Sequence, residues 1–196
     1  MELILASASP RREELLKQIG LTFRVIPSCV EEGQPYAPLP AWVLELARTK
    51  ALALPVGDDE VILAADTIVI RQERVFGKPG CTEEAIEMLK QLSGSVHEVM
   101  TGVCVVQRKN GNGSKLQIYE DVETTKVFFR RLTMSEIIAY VQTGEPLDKA
   151  GAYGIQGLGA LLIERIEGCY YNVVGLPLVM TRRLLGLCGF QILGGP

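Results

Sequence analysis

Short apolar strand patterns alternate with helix patterns in the first part of this chain, and this alternation limits the folds open to it. A strand pattern at Leu3–Ala6 precedes a helix at Pro10–Ile19 that ends at Gly20. A second strand pattern at Thr22–Pro27 follows, and then a helix at Ala41–Leu54. Alternating strands and helices predict a sheet with helices packed against it.

The second half of the chain adds an antiparallel component. Lys109–Gly113 reads KNGNG between two long strand patterns, which predicts a hairpin, and Glu167-Gly168 predicts another hairpin turn. Glu83–Leu92 is a predicted helix with Thr82 as its cap, and Thr133-x-x-Glu136 is a capping box. We therefore expect the α/β class, with a mixed sheet flanked by helices, in a single domain over residues 1–196.

Composition excludes several classes of function. The net charge is −3 and the pI is near 5.4, so we expect no nucleic-acid partner. Five scattered cysteines without a C-x-x-C pair argue against a disulfide framework or a zinc site, and a single histidine, His97, excludes a multi-histidine metal cluster. No apolar run approaches the roughly 20 residues that span a bilayer. We expect a cytoplasmic protein with no membrane partner.

Two arginines occupy the first turn of the first predicted helix, where the helix dipole disfavours cations. Ser9 and Pro10 form a suitable helix start, but Arg11 and Arg12 follow them directly. One interpretation is a solvated helix face. The other is a phosphate site, in which the small residues of ASAS allow close approach and the arginines add charge-assisted donors.

The run Ile62–Ile70 predicts a buried strand, yet Asp66 and Thr67 interrupt it. A buried carboxylate is costly unless it meets a cation, a metal or hydrogen bonds. A structural salt bridge would satisfy Asp66, and so would a cleft at the end of the strand. Lys50 lies on the apolar stripe of its helix, where it either extends past the edge of the core or points into a charged cleft.

Three further segments carry candidate groups for binding. Lys78 stands between a glycine and a proline, which suits a rigidly held cation or an ordinary turn. Glu31-Glu32 could hold a divalent cation or be solvated. The loop containing Lys149 and Gln156 is rich in glycine, which permits a tight path against a ligand. Acids without histidines favour Mg²⁺, and cations beside Mg²⁺ suggest a polyphosphate substrate.

The same segments resemble a known family. Their motifs are similar to those of the Maf-type nucleoside triphosphate pyrophosphatases, also called septum-formation inhibitor proteins. Between Leu3 and Leu185 the chain contains, in this order, ASASPRREELL, AADTIVI, GKP, SGSVHEVMTG, EPLDKAGAYGIQG and NVVGLPL. The resemblance implies an elongated mixed sheet with two lobes and a central active-site cleft, often in a homodimer. It also implies hydrolysis of a nucleoside triphosphate to the monophosphate and pyrophosphate with a divalent cation, Mg²⁺ or Mn²⁺.

The resemblance also assigns site residues. It implies that Asp66 is the catalytic acid and that Glu32 is a further acid of the active site, which we expect to act in catalysis. We also expect Glu32 and Asp66 to hold the metal. The remaining matched positions are polar groups around the substrate: Ser7, Arg11, Arg12, Lys50, Thr67, Lys78 and Gln156. Of these, Arg12, Thr67 and Gln156 match positions associated with substrate selectivity, and Lys50 and Lys78 match the catalytic machinery. Lys149, in the glycine-rich loop, is a further candidate for substrate binding.

The motif AYGIQG is similar to that of the family branch that acts on dTTP and UTP. Gln156 offers both a donor and an acceptor, which suits the O4 and N3–H edge of uracil or thymine. Two alternatives stay open at this point: a pyrophosphatase for 7-methyl-GTP or other modified nucleotides, and a nucleotide-binding regulator of cell division.

Overall fold

The computed structural model describes residues 1–31, 33–109 and 115–193. Its strands within these ranges are β1 (Glu2–Leu5), β2 (Phe23–Val25), β3 (Glu60–Arg71), β4 (Arg74–Phe76), β5 (Val96–Lys109), β6 (Lys115–Phe129) and β7 (Ile163–Glu167). Its α-helices are α1 (Pro10–Gln18), α2 (Leu39–Leu52), α3 (Thr82–Leu92), α4 (Met134–Gln142), α5 (Tyr170–Val174) and α6 (Leu178–Leu187). Among these helices, none combines the length and hydropathy that crossing a membrane requires.

Strands of the described residues form one mixed sheet in the order β2-β1-β3-β5-β6-β7, with β4 paired to β3. β1 is parallel to both β2 and β3, as the alternation of strands and helices predicts. β4 is antiparallel to β3, and β7 is antiparallel to β6. The predicted mixed sheet flanked by helices is therefore confirmed. The predicted hairpin tip at 110–114 lies outside the described residues.

The chain divides into two compact units. The first comprises Met1–Asp66, Thr101–Glu123 and the segment from Gly175 onward. Its core joins one face of α2 to three strands through a cluster of small and aliphatic side chains: Ile4, Ala6, Ala47, Ala51, Val56, Ile62, Ala64, Cys104 and Val106. Gly102 permits the close approach of α2, since a Cβ there would lie 2.6 Å from the carbonyl oxygen of Val43.

The second unit comprises Thr67–Met100 and Thr124–Val174. Its core contains the apolar faces of α3 and α4, and three aromatic rings: Phe129, Tyr153 and His97, which pack edge to face with centroids 4.7–5.3 Å apart. α4 begins with the predicted capping box, in which Thr133 and Glu136 bond each other's backbone N–H. This division agrees with the two lobes that the resemblance implies, whereas the central cleft and the single domain over residues 1–196 stay predictions.

Candidate active site

Ser7 and Asp66 lie just beyond the last paired residues of the parallel strands β1 and β3, in the first unit. β1 ends at Leu5 opposite Leu63, and the backbone N–H of Ala6 extends the ladder to the Leu63 carbonyl at 2.8 Å. Because the strands are parallel, the residues that come next on each lie toward one edge, the carboxyl end. Ligands of open α/β sheets bind beyond such carboxyl ends.

Asp66 is paired with Lys50 in the interior of the first unit. The Nζ atom of Lys50, on α2, contacts Oδ1 of Asp66, on β3, and the two side chains are only 11% and 8% exposed. Both sequence interpretations of Asp66 are compatible with this contact, since a structural salt bridge and a catalytic acid beside a cation have the same geometry. The lysine of the apolar stripe reaches a buried carboxylate, so it does not extend into solvent.

Arg12 is also buried, with 9% of its surface exposed. Its Nε donates to the carbonyl oxygen of Gly175 at 2.9 Å, and its Nη1 donates to Oγ of Ser7 at 3.0 Å. The same Ser7 oxygen accepts the backbone N–H of Ser9 at 3.2 Å. These bonds hold the guanidinium in one orientation at the start of α1, so the second of the two arginines is not part of a solvated helix face.

Arg11 differs from its neighbour in burial, because it is half-buried at the first turn of α1. Ser9 is the N-cap in an extended conformation and its side chain makes no capping hydrogen bond. Pro10 stands at the first helical position, as predicted. The start of α1 therefore carries two cations that differ in exposure and a cap whose hydroxyl does not satisfy the helix.

The second unit holds the remaining predicted cations on two connected segments. Lys78 is exposed in the turn after β4, next to the buried Pro79. The neighbouring Gly77 carbonyl accepts the backbone N–H of Gly151 at 3.0 Å, which ties this turn to the glycine-rich loop. Gly151 has φ +69°, and a Cβ there would lie 3.0 Å from a methyl carbon of Val69. The loop therefore packs closely against β3 at this glycine, whereas its close path against a ligand stays a prediction.

Lys149 and Gln156 lie at the two ends of one short loop. The Nζ of Lys149 donates to the carbonyl oxygen of Glu145 and to Oδ1 of Asp148, at 2.6 Å each. Gln156 is exposed and directly precedes a 3₁₀ helix at Gly157–Leu162. Thr67, half-buried on β3, belongs to the same unit. The two residues Lys149 and Gln156 thus flank the glycine-rich stretch of one loop, and their joint role in binding stays a prediction.

Sequence reasoning missed the groups that hold these candidate residues in place. Glu145 and Tyr140 share a hydrogen bond of 2.9 Å beneath the glycine-rich loop, and Glu145 lies inside the quoted motif EPLDK. An acid placed just ahead of a glycine-rich loop was a usable signal. No sequence pattern could have identified the carbonyl of Gly175 as a partner of Arg12. Every residue has a backbone oxygen, and 163 positions separate these two residues.

Glu32, which was predicted to hold a metal with Asp66, lies outside the described residues. Across residues 1–31, 33–109 and 115–193, no three His, Cys, Asp or Glu side chains come together as a metal cage. The carboxylate of Asp66 is nevertheless a hard oxygen donor. Mg²⁺ commonly uses one or two carboxylates together with substrate phosphates, so this donor set fits an ion that arrives with a polyphosphate.

Curated relatives cover almost the whole chain. The dTTP/UTP pyrophosphatase of Moorella thermoacetica is 50% identical over 195 residues, which is 98% of this chain and 98% of that protein. The dTTP/UTP pyrophosphatase of Halalkalibacterium halodurans is 51% identical over 191 residues, 96% of this chain and 97% of that protein. Full-length matches at this identity confirm the resemblance drawn from the motifs.

A solved structure of a HAM1 protein from Coxiella burnetii covers 78% of this chain and 86% of its own, with a TM-score of 0.46 and 16% identity. At that TM-score the likeness says nothing about the site. The family model described as Maf-like protein matches residues 2–187. On this match and the two relatives, the chain belongs to the Maf-like protein family.

Proposed function

We propose that this chain hydrolyses dTTP and UTP to the nucleoside monophosphate and pyrophosphate. The observation that carries the proposal is the buried Lys50–Asp66 pair. Asp66 lies toward the carboxyl end of the paired strands β1 and β3, the same end at which Ser7 follows β1. The full-length relatives named dTTP/UTP pyrophosphatase support the choice of substrate. They favour it over 7-methyl-GTP and over a regulator that only binds nucleotides.

The reaction breaks the bond between the α-phosphorus and the oxygen that bridges to the β-phosphorus. The oxygen of water forms the new bond to the α-phosphorus, the electron pair of the broken bond leaves on pyrophosphate, and the proton of water passes to a base. Asp66 is the proposed base, since its carboxylate is the buried acid of the candidate site. Lys50 compensates the charge of that carboxylate in the interior.

Cations of the chain bind the phosphates in this proposal. Arg12 is held by Ser7 and Gly175 at the start of α1, so its orientation is fixed before substrate arrives. A guanidinium fixed in this way loses little conformational freedom on binding an anion. Arg11, Lys78 and Lys149 supply further positive charge toward the leaving pyrophosphate, on which negative charge develops in the transition state.

Gln156 is the proposed contact to the base. Its side chain is exposed, and its amide has both a donor and an acceptor for the O4 and N3–H edge that thymine and uracil share. Thr67 is proposed to contribute to the same selectivity. A site built around paired hydrogen bonds discriminates more strongly than one built on apolar fit.

A divalent cation, Mg²⁺ or Mn²⁺, is part of the proposal. Asp66, with Glu32, would hold it together with phosphate oxygens. When bound, such an ion neutralises phosphate charge and makes a nearby water more acidic. The homodimer stays a prediction from the resemblance, and the cytoplasmic location stays a prediction from the composition.

The test is pyrophosphate release by Asp66→Asn. We expect turnover of dTTP to fall by about 10²–10⁴-fold, the usual contribution of a general base. The matched control is Asp121→Asn, because Asp121 also pairs with a cation of the same unit, Arg183, but is half exposed. Near-normal release by Asp66→Asn would leave Asp66 with the purely structural role.

A further inference from the structure

Glu145 gathers three hydrogen-bond donors around its carboxylate in the second unit. Oε1 accepts the hydroxyl of Tyr140 at 2.9 Å and the backbone N–H of Gly159 at 3.0 Å. Oε2 accepts the backbone N–H of Leu158 at 3.0 Å. The donors come from α4 and from the 3₁₀ helix at Gly157–Leu162, so one carboxylate joins two elements.

The bonds to Leu158 and Gly159 cap a helix from a distant position. Backbone N–H groups in a first helical turn lack intrahelical acceptors, and a carboxylate satisfies them with charge-assisted bonds. The side chain of Gln156, which precedes this helix, makes no capping bond of its own. Because Glu145 caps the helix, the side-chain amide of Gln156 makes no hydrogen bond to the first turn.

Glycines let the loop close tightly on this carboxylate. A Cβ at Gly157, where φ is +66°, would lie 2.8 Å from Oε2 of Glu145. A Cβ at Gly159 would lie 2.2 Å from the carbonyl oxygen of Gly154. A side chain at Gly157 would collide with the carboxylate of Glu145, and one at Gly159 would collide with the backbone of Gly154.

Tyr140 and Lys149 extend the network to the other end of the loop. The hydroxyl of Tyr140 accepts the backbone N–H of Gly154 at 3.3 Å while it donates to Glu145. Burial, and then the bond to Glu145, raise the pKa of Tyr140, so this hydroxyl stays protonated near neutral pH. The Nζ of Lys149 donates to the backbone carbonyl of Glu145.

We propose that Glu145 is a positioning residue for base selection, which acts by fixing the loop from Lys149 to Gly159 so that Gln156 is presented in one geometry. The inference rests on the proposed function, because it requires Gln156 to read the base. Glu145 itself does not touch the substrate in this proposal. Its loss is therefore expected to alter the preference for pyrimidine triphosphates more than the turnover of dTTP.

The test compares kcat/KM for dTTP with kcat/KM for dATP in Glu145→Gln. The glutamine keeps the shape of the side chain but replaces one accepting oxygen with an NH₂ group, so only one of the two loop N–H groups keeps an acceptor. We expect the dTTP/dATP ratio to fall about tenfold, the effect of losing one hydrogen bond to a charged group. Tyr140→Phe removes a single hydroxyl, is the milder variant, and is expected to shift the ratio in the same direction.

Glu136→Gln is the matched control. Glu136 also caps a helix in the same unit, accepting the backbone N–H of Thr133 at 2.8 Å, and it pairs with Arg130. Its substitution weakens the start of α4, and its partners Thr133 and Arg130 lie outside the loop from Lys149 to Gly159. We expect a lower melting temperature and an unchanged dTTP/dATP ratio.

A double variant with Gln156→Ala separates the inference from the proposed function. If Glu145 acts through Gln156, Glu145→Gln changes the ratio no further in the Gln156→Ala background. A full tenfold change there, or an unchanged ratio in both Glu145→Gln and Tyr140→Phe, overturns the inference alone. An unchanged ratio in Gln156→Ala itself overturns the base-reading role of Gln156, and the inference with it.

Discussion

The ion pair between Lys50 and Asp66 makes a quantitative prediction about stability. Both side chains are nearly buried, at 11% and 8% exposure. Removing one partner of such a pair leaves a buried charge without compensation and costs about 3–5 kcal/mol. We expect this loss for Lys50→Met, which preserves much of the side-chain volume.

The double variant shows how much of that loss belongs to the pair. Lys50→Met combined with Asp66→Asn leaves no uncompensated charge, so it is expected to be more stable than the sum of the single variants implies, by about 2–3 kcal/mol. Arg48→Met is the control on the same helix. Arg48 pairs with Glu120 but is 44% exposed, and exposed pairs contribute only about 0–1 kcal/mol.

Urea unfolding followed by tryptophan fluorescence is the assay. Trp42 is the only tryptophan of the chain, and it is buried in α2, the helix that carries both Lys50 and Arg48. The signal therefore reports on the element that the substitutions affect. Additive single variants, within about 0.5 kcal/mol, would refute the buried pair.

His97 and Arg12 give the remaining predictions. Burial, and then the positive charge of Arg71, lower the pKa of His97 from 6.5 to about 4. Between pH 6.5 and pH 4, His97 binds a proton in the unfolded chain but not in the folded chain. The free energy of unfolding therefore keeps its full value above pH 6.5 and falls on acidification, by about 2–3 kcal/mol at pH 4.5. His97→Gln should remove this part of the decline in urea titrations at pH 7.5 and 4.5; an identical decline would contradict the shift. Arg12→Lys cannot reproduce the two hydrogen bonds to Ser7 and Gly175. We therefore expect a loss of about 1–3 kcal/mol in the free energy of unfolding and a raised KM for dTTP. Wild-type values of both quantities would contradict the role of the Arg12 guanidinium.

Local signals predicted the elements that depend on neighbouring residues. Pro10 marks the start of α1, and Thr133 and Glu136 form the capping box of α4, because these signals act within one helical turn. The helix predicted at Ala41–Leu54 is observed two residues earlier, as α2 at Leu39–Leu52. Helix ends are less sharply encoded than helix interiors, where apolar spacing determines the buried face.

One error concerns a helix boundary, and the other concerns the pairing of a strand. Thr82 was predicted to cap α3, but it is the first helical residue and Cys81 occupies the N-cap. The hairpin predicted at Glu167-Gly168 is wrong, because β7 ends there, pairs with the distant β6 and is followed by α5. A turn signal shows that the chain changes direction, but it does not identify the strand that supplies the hydrogen bonds.

The candidate site was predictable in its residue types and less so in its contacts. An acid inside an apolar strand and a lysine inside an apolar helix stripe each require a partner, and the structure pairs Asp66 with Lys50. The orientation of Arg12 depends on a carbonyl 163 residues away, and the start of the 3₁₀ helix after Gln156 is bonded to the carboxylate of Glu145. Sequence spacing contains no record of such tertiary contacts.

The most direct measurement of the central claim is the hydrolysis of dTTP in ¹⁸O-labelled water, with products identified by mass. Attack of water on the α-phosphorus predicts dTMP that carries the label and pyrophosphate that does not. Labelled pyrophosphate, or release of dTDP with inorganic phosphate, would contradict the proposed reaction.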